Sequence, residues 1–375
     1  PPFDILHSAG HPKGTWIVTL LAFEEGYVER MWGGDALRRI YHKATPGGTR
    51  IGEAWMIADH PQHVSVVADG PHKGQSLRQL LEDDPARILG TRAQLTVHGR
   101  FPLLLKLLDA GDKLSIQVHP DDEAAARWGE PDVGKREMWY VLHGDEDSML
   151  YCGMPPKTTR EEFEAALKAG SLADLLIRFP AREGTAVFVD AGTVHAIGGG
   201  SLLAEIQQNS DITYRVDDWG RVQADGTPRN LDLEKAMDVT QFGSKHAGAA
   251  RPAAYASGAA RISVLAACRH FAAERVDLAG RYNCDTRGES FVLLLGISGD
   301  FTVKSQGTAQ DLKPGSALMV AGSATDFDVE GTGSFLRYYV PDLEADIRRP
   351  LSAAGHSEDT IVRLGGDPDT SDLAR

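Results

Sequence analysis

Ser115, Gln117 and His119 occupy every second position of the stretch Leu114-Ser115-Ile116-Gln117-Val118-His119. That is the period of a half-buried strand, on which alternate side chains share a face. Leu114, Ile116 and Val118 take the packed face, leaving a hydroxyl, an amide and an imidazole in a row on the other. Such a row is costly to bury unless its groups are satisfied. A metal ion or a polar ligand would satisfy it. Further donors stand downstream at Glu137 and His195. Two imidazoles, a carboxylate and an amide oxygen make a mixed nitrogen and oxygen set without thiolate. It suits zinc, and also manganese, cobalt or iron. Coordination positions left to water or substrate would make such a centre catalytic.

The spacing that gathers these four residues resembles the cupin barrel. Gly111 is followed after five residues by Gln117-x-His119, where the cupin motif has His-x-His. Glu137 and Gly144, with six residues between them, match the second half of that motif, so Asp121 to Arg136 form an insertion. The second cupin motif, glycine then five residues then Pro-x-Gly-x-x-His, reads Gly184 followed by Asp190-Ala191-Gly192-Thr193-Val194-His195. Asp190 stands in the proline position.

Longer stretches are similar to class I mannose-6-phosphate (phosphomannose) isomerases of the short bacterial kind. They include Gly52-Glu53-Ala54-Trp55, Phe101-Pro102-Leu103-Leu104-Leu105-Lys106, Gly134-Lys135-Arg136-Glu137-Met138-Trp139-Tyr140 and the run from Glu205 through Asn209-Ser210-Asp211 to Tyr214-Arg215. The resemblance implies an enzyme that interconverts mannose 6-phosphate and fructose 6-phosphate through an enediol or enediolate. It implies one Zn2+ per chain, with other divalent ions as alternatives, on Gln117, His119, Glu137 and His195. It implies an active-site arginine at Arg215, an acidic residue on the floor at Glu205, a catalytic lysine at Lys135, and phosphate or substrate contacts at Ser115 and Lys106. A guanidinium does not deprotonate usefully, so Arg215 is a stabiliser of negative charge and not the base. The base is Lys135, Glu205 or a metal-bound water. As base, Lys135 needs a lowered pKa, and the adjacent Arg136 and the metal push it that way.

Each residue also has a plainer reading. A buried histidine can be a hydrogen-bonded core residue, and Arg215 has Asp211, Asp217 and Asp218 near it as surface ion-pair partners. Rival functions are another cupin sugar-phosphate isomerase or epimerase, a non-catalytic sugar-binding cupin, and a metal-dependent oxygenase. A complete ligand set beside Lys135, Glu205 and Arg215 argues for chemistry over mere binding.

The elements that must position these residues are mostly strands. The chain has 375 residues, with 40 glycines and 19 prolines, and its short apolar runs are separated by turns. That pattern predicts a mainly β fold, a bicupin of two β-barrel or jelly-roll domains. Residues 1–15 read as an arm and 16–243 as the catalytic cupin, with a helical insert at about 157–180. A linker over 244–260, a second, metal-free cupin over 261–343 and a polar, frayed tail over 344–375 complete the chain. The second unit repeats the Glu137 to Gly144 spacing as Glu289 to Gly296, but Asp326 falls where His195 would, and His270 stands alone. Strands are expected at Trp16–Phe23, Gly52–Ala58, Phe101–Leu108 and Leu202–Gln208, a turn at Trp32-Gly33-Gly34, and one helix over Ser76–Leu89. A net charge of −14 argues against nucleic acid and anionic membrane as partners. Three cysteines without CxxC spacing read as reduced thiols of a cytoplasmic protein. The expected partner is a small sugar phosphate, and the expected assembly a monomer or homodimer.

Overall fold

The computed structural model describes residues 19–374 except Ala224. The expected arm and the start of the Trp16–Phe23 strand lie outside the described residues. The run Leu103-Leu104-Leu105-Lys106-Leu107-Leu108 is apolar on both faces, so its strand must be covered on both sides. Leu103–Ala110 is indeed an inner strand of a six-stranded antiparallel sheet. Across the sheet the order is Ala186–Val189, Glu137–Gly144, Ser201–Gln208, Leu103–Ala110, Gly26–Gly34 and Ile51–Ile57. On one face Leu108, Trp139, Val187 and Leu203 pack against Leu150, Cys152 and Ile197. Those three belong to a five-stranded sheet ordered Arg178–Pro180, Met149–Cys152, His195–Ile197, Ile116–Val118 and Tyr214–Asp217. On the other face Leu105, Met138, Phe188 and Ile206 meet Phe271, Leu293, Leu336 and Tyr338 of the second half. The two halves therefore stand back to back through one continuous core.

The second half is a single eight-stranded antiparallel sheet. Three of its strands, Ala272–Asp285, Val292–Ser305 and Asp326–Tyr339, are each 14 residues long and surround a second core that includes Val276, Leu294, Phe301 and Phe335. Gly333 has φ +144° and a Cβ there would lie 2.0 Å from the Ser298 carbonyl, so only glycine permits this crossing. The mainly β expectation holds. Neither half closes into a barrel through backbone pairing: the first is a pair of facing sheets and the second one sheet around its own core.

Other expectations need correction. Leu20–Ala22 pairs with Ala317–Val320, so this strand of the expected catalytic unit completes the sheet of the second half. Within the expected linker, Ala253–Ser257 is a strand that pairs with Ala260–Ala267. Alanine and serine alternate too weakly in polarity to reveal it. Residues 343–374 form short helices, and Ile347, Leu351, Ile361 and Leu373 are fully buried in the second core. The tail is polar, and its buried apolar residues are too few and too widely spaced to show a helical pattern. Trp32-Gly33-Gly34 ends the Gly26–Gly34 strand and is not a turn. The helix expected over Ser76–Leu89 is two, Leu77–Asp83 and Pro85–Leu89, because Asp84 precedes a proline and leaves the helical region. Cys152, Cys268 and Cys284 are buried free thiols. No helix among the described residues is long and apolar enough to cross a membrane.

Candidate metal centre and active site

Only Ile116–Val118 of the expected strand is regular, yet its two faces separate as the alternation requires. Ile116 and Val118 pack outward on Phe163 and Leu172 of the helical insert. Ser115 and Gln117 line a cavity of about 420 Å3 between the two sheets. The insertion after His119 is a short helix, Asp122–Trp128, capped by Asp121 and ended by Gly129 in the left-handed conformation. It returns the chain so that the Lys135 amide bonds the Pro120 carbonyl at 2.9 Å, which sets Glu137 beside His119. Val189 pairs with Glu137 across the sheet. The chain then turns at Gly192, φ +80°, whose amide reaches the His119 carbonyl, and a Cβ there would lie 2.6 Å from the Val239 carbonyl. Three residues later His195 enters the same space.

The donor atoms of His119, Glu137 and His195 lie within 4.8 Å of one another. His119 Nε2 is 3.5 Å from Glu137 Oε2, and His195 Nε2 is 3.4 Å from Oε1. All three residues are buried, and both His119 ring nitrogens and both Glu137 oxygens lack a well-formed hydrogen bond. Buried polar atoms are rarely left so, and a divalent cation would satisfy His119 Nε2 and the Glu137 carboxylate together. His195 Nδ1 donates to the Thr193 carbonyl at 2.8 Å, which leaves Nε2 with a lone pair for a metal. Burial and then His119 lower the His195 pKa to about 3, so the ring is neutral, as ligation requires. The Gln117 amide lies 3.2 Å from His195 Nε2. Rotating it by half a turn, which leaves its shape unchanged, points its oxygen at the cluster. The residues present therefore fit a metal ion.

Charged groups crowd the cavity wall. Lys135 Nζ stands 2.8 Å from Glu137 Oε2. Burial opposes its charge, but Glu137 and Glu205 outweigh burial and raise its pKa above the ordinary lysine range. This reverses the expectation that Lys135 is tuned downward: Arg136 points away, to Asp190 and Asp372. Glu205 is pushed up to about 8, by burial first and then by the Glu137 carboxylate. Trp139 Nε1 donates to it at 3.1 Å. Lys106 is 2% exposed and lies within 3.9 Å of three carboxylates, those of Glu53, Glu205 and Asp211. Arg215 is not an ion-paired surface residue. Its Nη1 donates to the Asn230 carbonyl, its Nε is buried without a partner, and burial and then Arg229 lower its pKa. The nearby Asp218 is taken by Arg221 and Arg229.

Ser115, Gln117, Lys106, Lys135, Glu137, Glu205 and Arg215 all line the one cavity, and His119 and His195 adjoin it through Glu137. Reasoning from sequence gave no role to Arg30, Glu53 or Arg229 and took Asp211 only as an ion-pair partner of Arg215, yet all four line it too. Alternation offered a signal for two of them: Arg30 shares a strand face with Trp32, and Glu53 with Trp55. In the second half Glu289 pairs with Arg92 and Arg287 at the surface. Among the described residues the His119, Glu137 and His195 group is the one set placed to hold a metal.

A family model for the catalytic domain of type I phosphomannose isomerases matches residues 20–149, and one for the mannose-6-phosphate isomerase cupin domain matches residues 261–340. GmuF of Bacillus subtilis (strain 168), described as a probable mannose-6-phosphate isomerase, is 35% identical over 318 residues, covering 84% of this chain and 98% of that protein. The chain belongs to the type I phosphomannose isomerase family. Another member, mannose-6-phosphate isomerase ManA of the same organism, is 34% identical over 316 residues, 83% of this chain and 96% of that one. The crystal structure of the mannose 6-phosphate isomerase from Bacillus subtilis superposes with a TM-score of 0.77 at 31% identity, covering 86% of this chain and 99% of that one. Residues 341–375 lie beyond the stretches that the two type I family models match.

Proposed function

We propose that this chain interconverts mannose 6-phosphate and fructose 6-phosphate, with zinc held by His119, Glu137, His195 and Gln117. The observation that carries the reading is the buried cluster of His119, Glu137 and His195 donor atoms, opening on a cavity walled by Lys135, Glu205 and Arg215. Aldose–ketose conversion removes a proton from the carbon beside the carbonyl and returns it to the neighbouring carbon. When bound, the divalent ion supplies Lewis acidity to the substrate oxygens. Glu205 is the better base, since burial raises the proton affinity of its carboxyl while Glu137 holds Lys135 as an ammonium. Lys135 stays an ammonium beside the reacting atoms and stabilises the charge that grows on the enediolate oxygen. Arg215 adds a guanidinium at the cavity wall.

The phosphate lies toward Ser115 and the guanidinium groups of Arg215 and Arg229. Lys106 is surrounded by carboxylates, so its part is to balance their charge and meet substrate hydroxyls. The first half of the chain carries the chemistry, and the second half buttresses its sheet from behind. The test is a coupled assay of mannose 6-phosphate turnover by the purified chain, before and after a chelator and with zinc restored. Turnover that falls with the chelator and returns with zinc is expected. A zinc-loaded protein without turnover would sink the reading.

A further inference from the structure

Asp190 replaces the proline that the second cupin motif places two residues before its glycine. Proline in that position would stiffen the turn by fixing φ. Here a charge network stands in its place. Arg136 Nε lies 2.8 Å from Asp190 Oδ1, and Arg136 Nη1 donates to Asp372 Oδ2 at 2.6 Å. Asp372 also accepts from Arg269, from Nη2 at 2.7 Å and from Nε and the amide at 3.0 Å each. Asp190 is buried, and Asp372 is half-buried with its side chain almost covered. Arg136 immediately precedes Glu137, and Asp190 opens the turn that leads through Gly192 to His195. One guanidinium thus ties the strand that bears the carboxylate donor to the turn that bears a histidine donor, and the tail clamps that guanidinium. The tail itself is fixed, with Leu373 fully buried in the second core.

We propose that Asp372, acting through Arg136 and Asp190, is a positioning residue that holds Glu137 and His195 at metal-binding distance. This rests on the reading that those residues ligate a metal. Groups behind the ligands commonly change metal affinity by about 10–100-fold when removed. The mechanism is geometric: without Asp372 the Arg136 guanidinium is no longer held from both sides, so the Arg136–Asp190 pair loses its fixed anchor and the strand and the turn can shift together or apart.

The test is the zinc dissociation constant of the full chain, measured by competition with a chromophoric chelator. Urea unfolding of the metal-free protein is measured in parallel. Asp372→Asn is expected to weaken zinc binding about tenfold or more, and Arg136→Lys, which keeps the charge but cannot span both carboxylates, to do the same. Asp372→Asn should add little in an Arg136→Lys background, since the two act in one chain of contacts. Leu351→Ala serves as the control: it should lower the urea midpoint and leave zinc affinity unchanged. Wild-type affinity in both Asp372→Asn and Arg136→Lys overturns the inference, as does a loss of affinity in Leu351→Ala of the same size. If Asp372→Asn does not fold, Arg136→Lys alone decides. A wild-type chain that takes up no zinc overturns the site reading, and the inference with it.

Discussion

Glu205 and Lys135 were equal candidates for the base while only their positions in the sequence were known. Their surroundings separate them. Lys135 faces Glu137 and stays charged, whereas Glu205 is desolvated and faces the same carboxylate, so its pKa rises to about 8. A carboxyl acting as base works in its ionised form, so kcat/KM should climb with pH through the Glu205 pKa and then level, and a cation on Glu137 draws that pKa below its metal-free position. Glu205→Gln should lose that limb and about 10²–10⁴-fold in rate. A pH series of kcat/KM on both proteins checks this, and an unchanged limb in the variant would assign it elsewhere. His119→Ala should lose both metal and turnover. Arg215→Ala should keep metal content by elemental analysis and lose turnover, since no metal-donor atom is removed; near-normal turnover would make its role structural. Residue types and motif spacing made the donor set legible. The direction of each pKa was not, because it depends on burial and on neighbours such as Lys106 and Asp211 that are distant in the sequence.

Element by element, the sequence was clearest where one physical signal was strong. Thr159 caps the Arg160–Ala169 helix in a reciprocal box with Glu162, and Gly170 ends it in the left-handed conformation, as the spacing predicts. The strand expected over Leu114–His119 is regular only at Ile116–Val118. The tail was missed. Its apolar residues are few and far apart, yet Leu351 and Ile361 are fully buried. Leu351→Ala should therefore cost about 2–5 kcal/mol, the range for a large side chain removed from a packed core. Denaturant unfolding of the metal-free protein measures it, and a cost below about 0.5 kcal/mol, as at a surface site, would show the tail to be loosely attached.

At the scale of the whole molecule the two halves share the core behind the six-stranded sheet, so the catalytic floor is packed from both sides. Apolar runs made that double coverage legible, but not which sheet each strand joins: Leu20–Ala22 crosses to the second half through backbone pairing that leaves no mark on composition. Buried neutral histidines tie stability to pH. Burial lowers His270 to about 4, and His195 lies at about 3. Both bind protons more weakly folded than unfolded, so their contribution is complete above about 6.5 and is lost as pH falls toward 4. The urea midpoint of the metal-free protein should drop across that window, and an invariant midpoint would contradict the assignment. The carboxylates gathered round Lys106 also give substrate capture a proton stoichiometry. A dianion entering the cavity that Glu205 also lines makes the charged form of Glu205 less favourable, so the site takes up a fraction of a proton from the medium. Calorimetric binding heats of a non-reacting sugar phosphate should then differ between phosphate and Tris buffers by that fraction of the difference in their ionisation enthalpies.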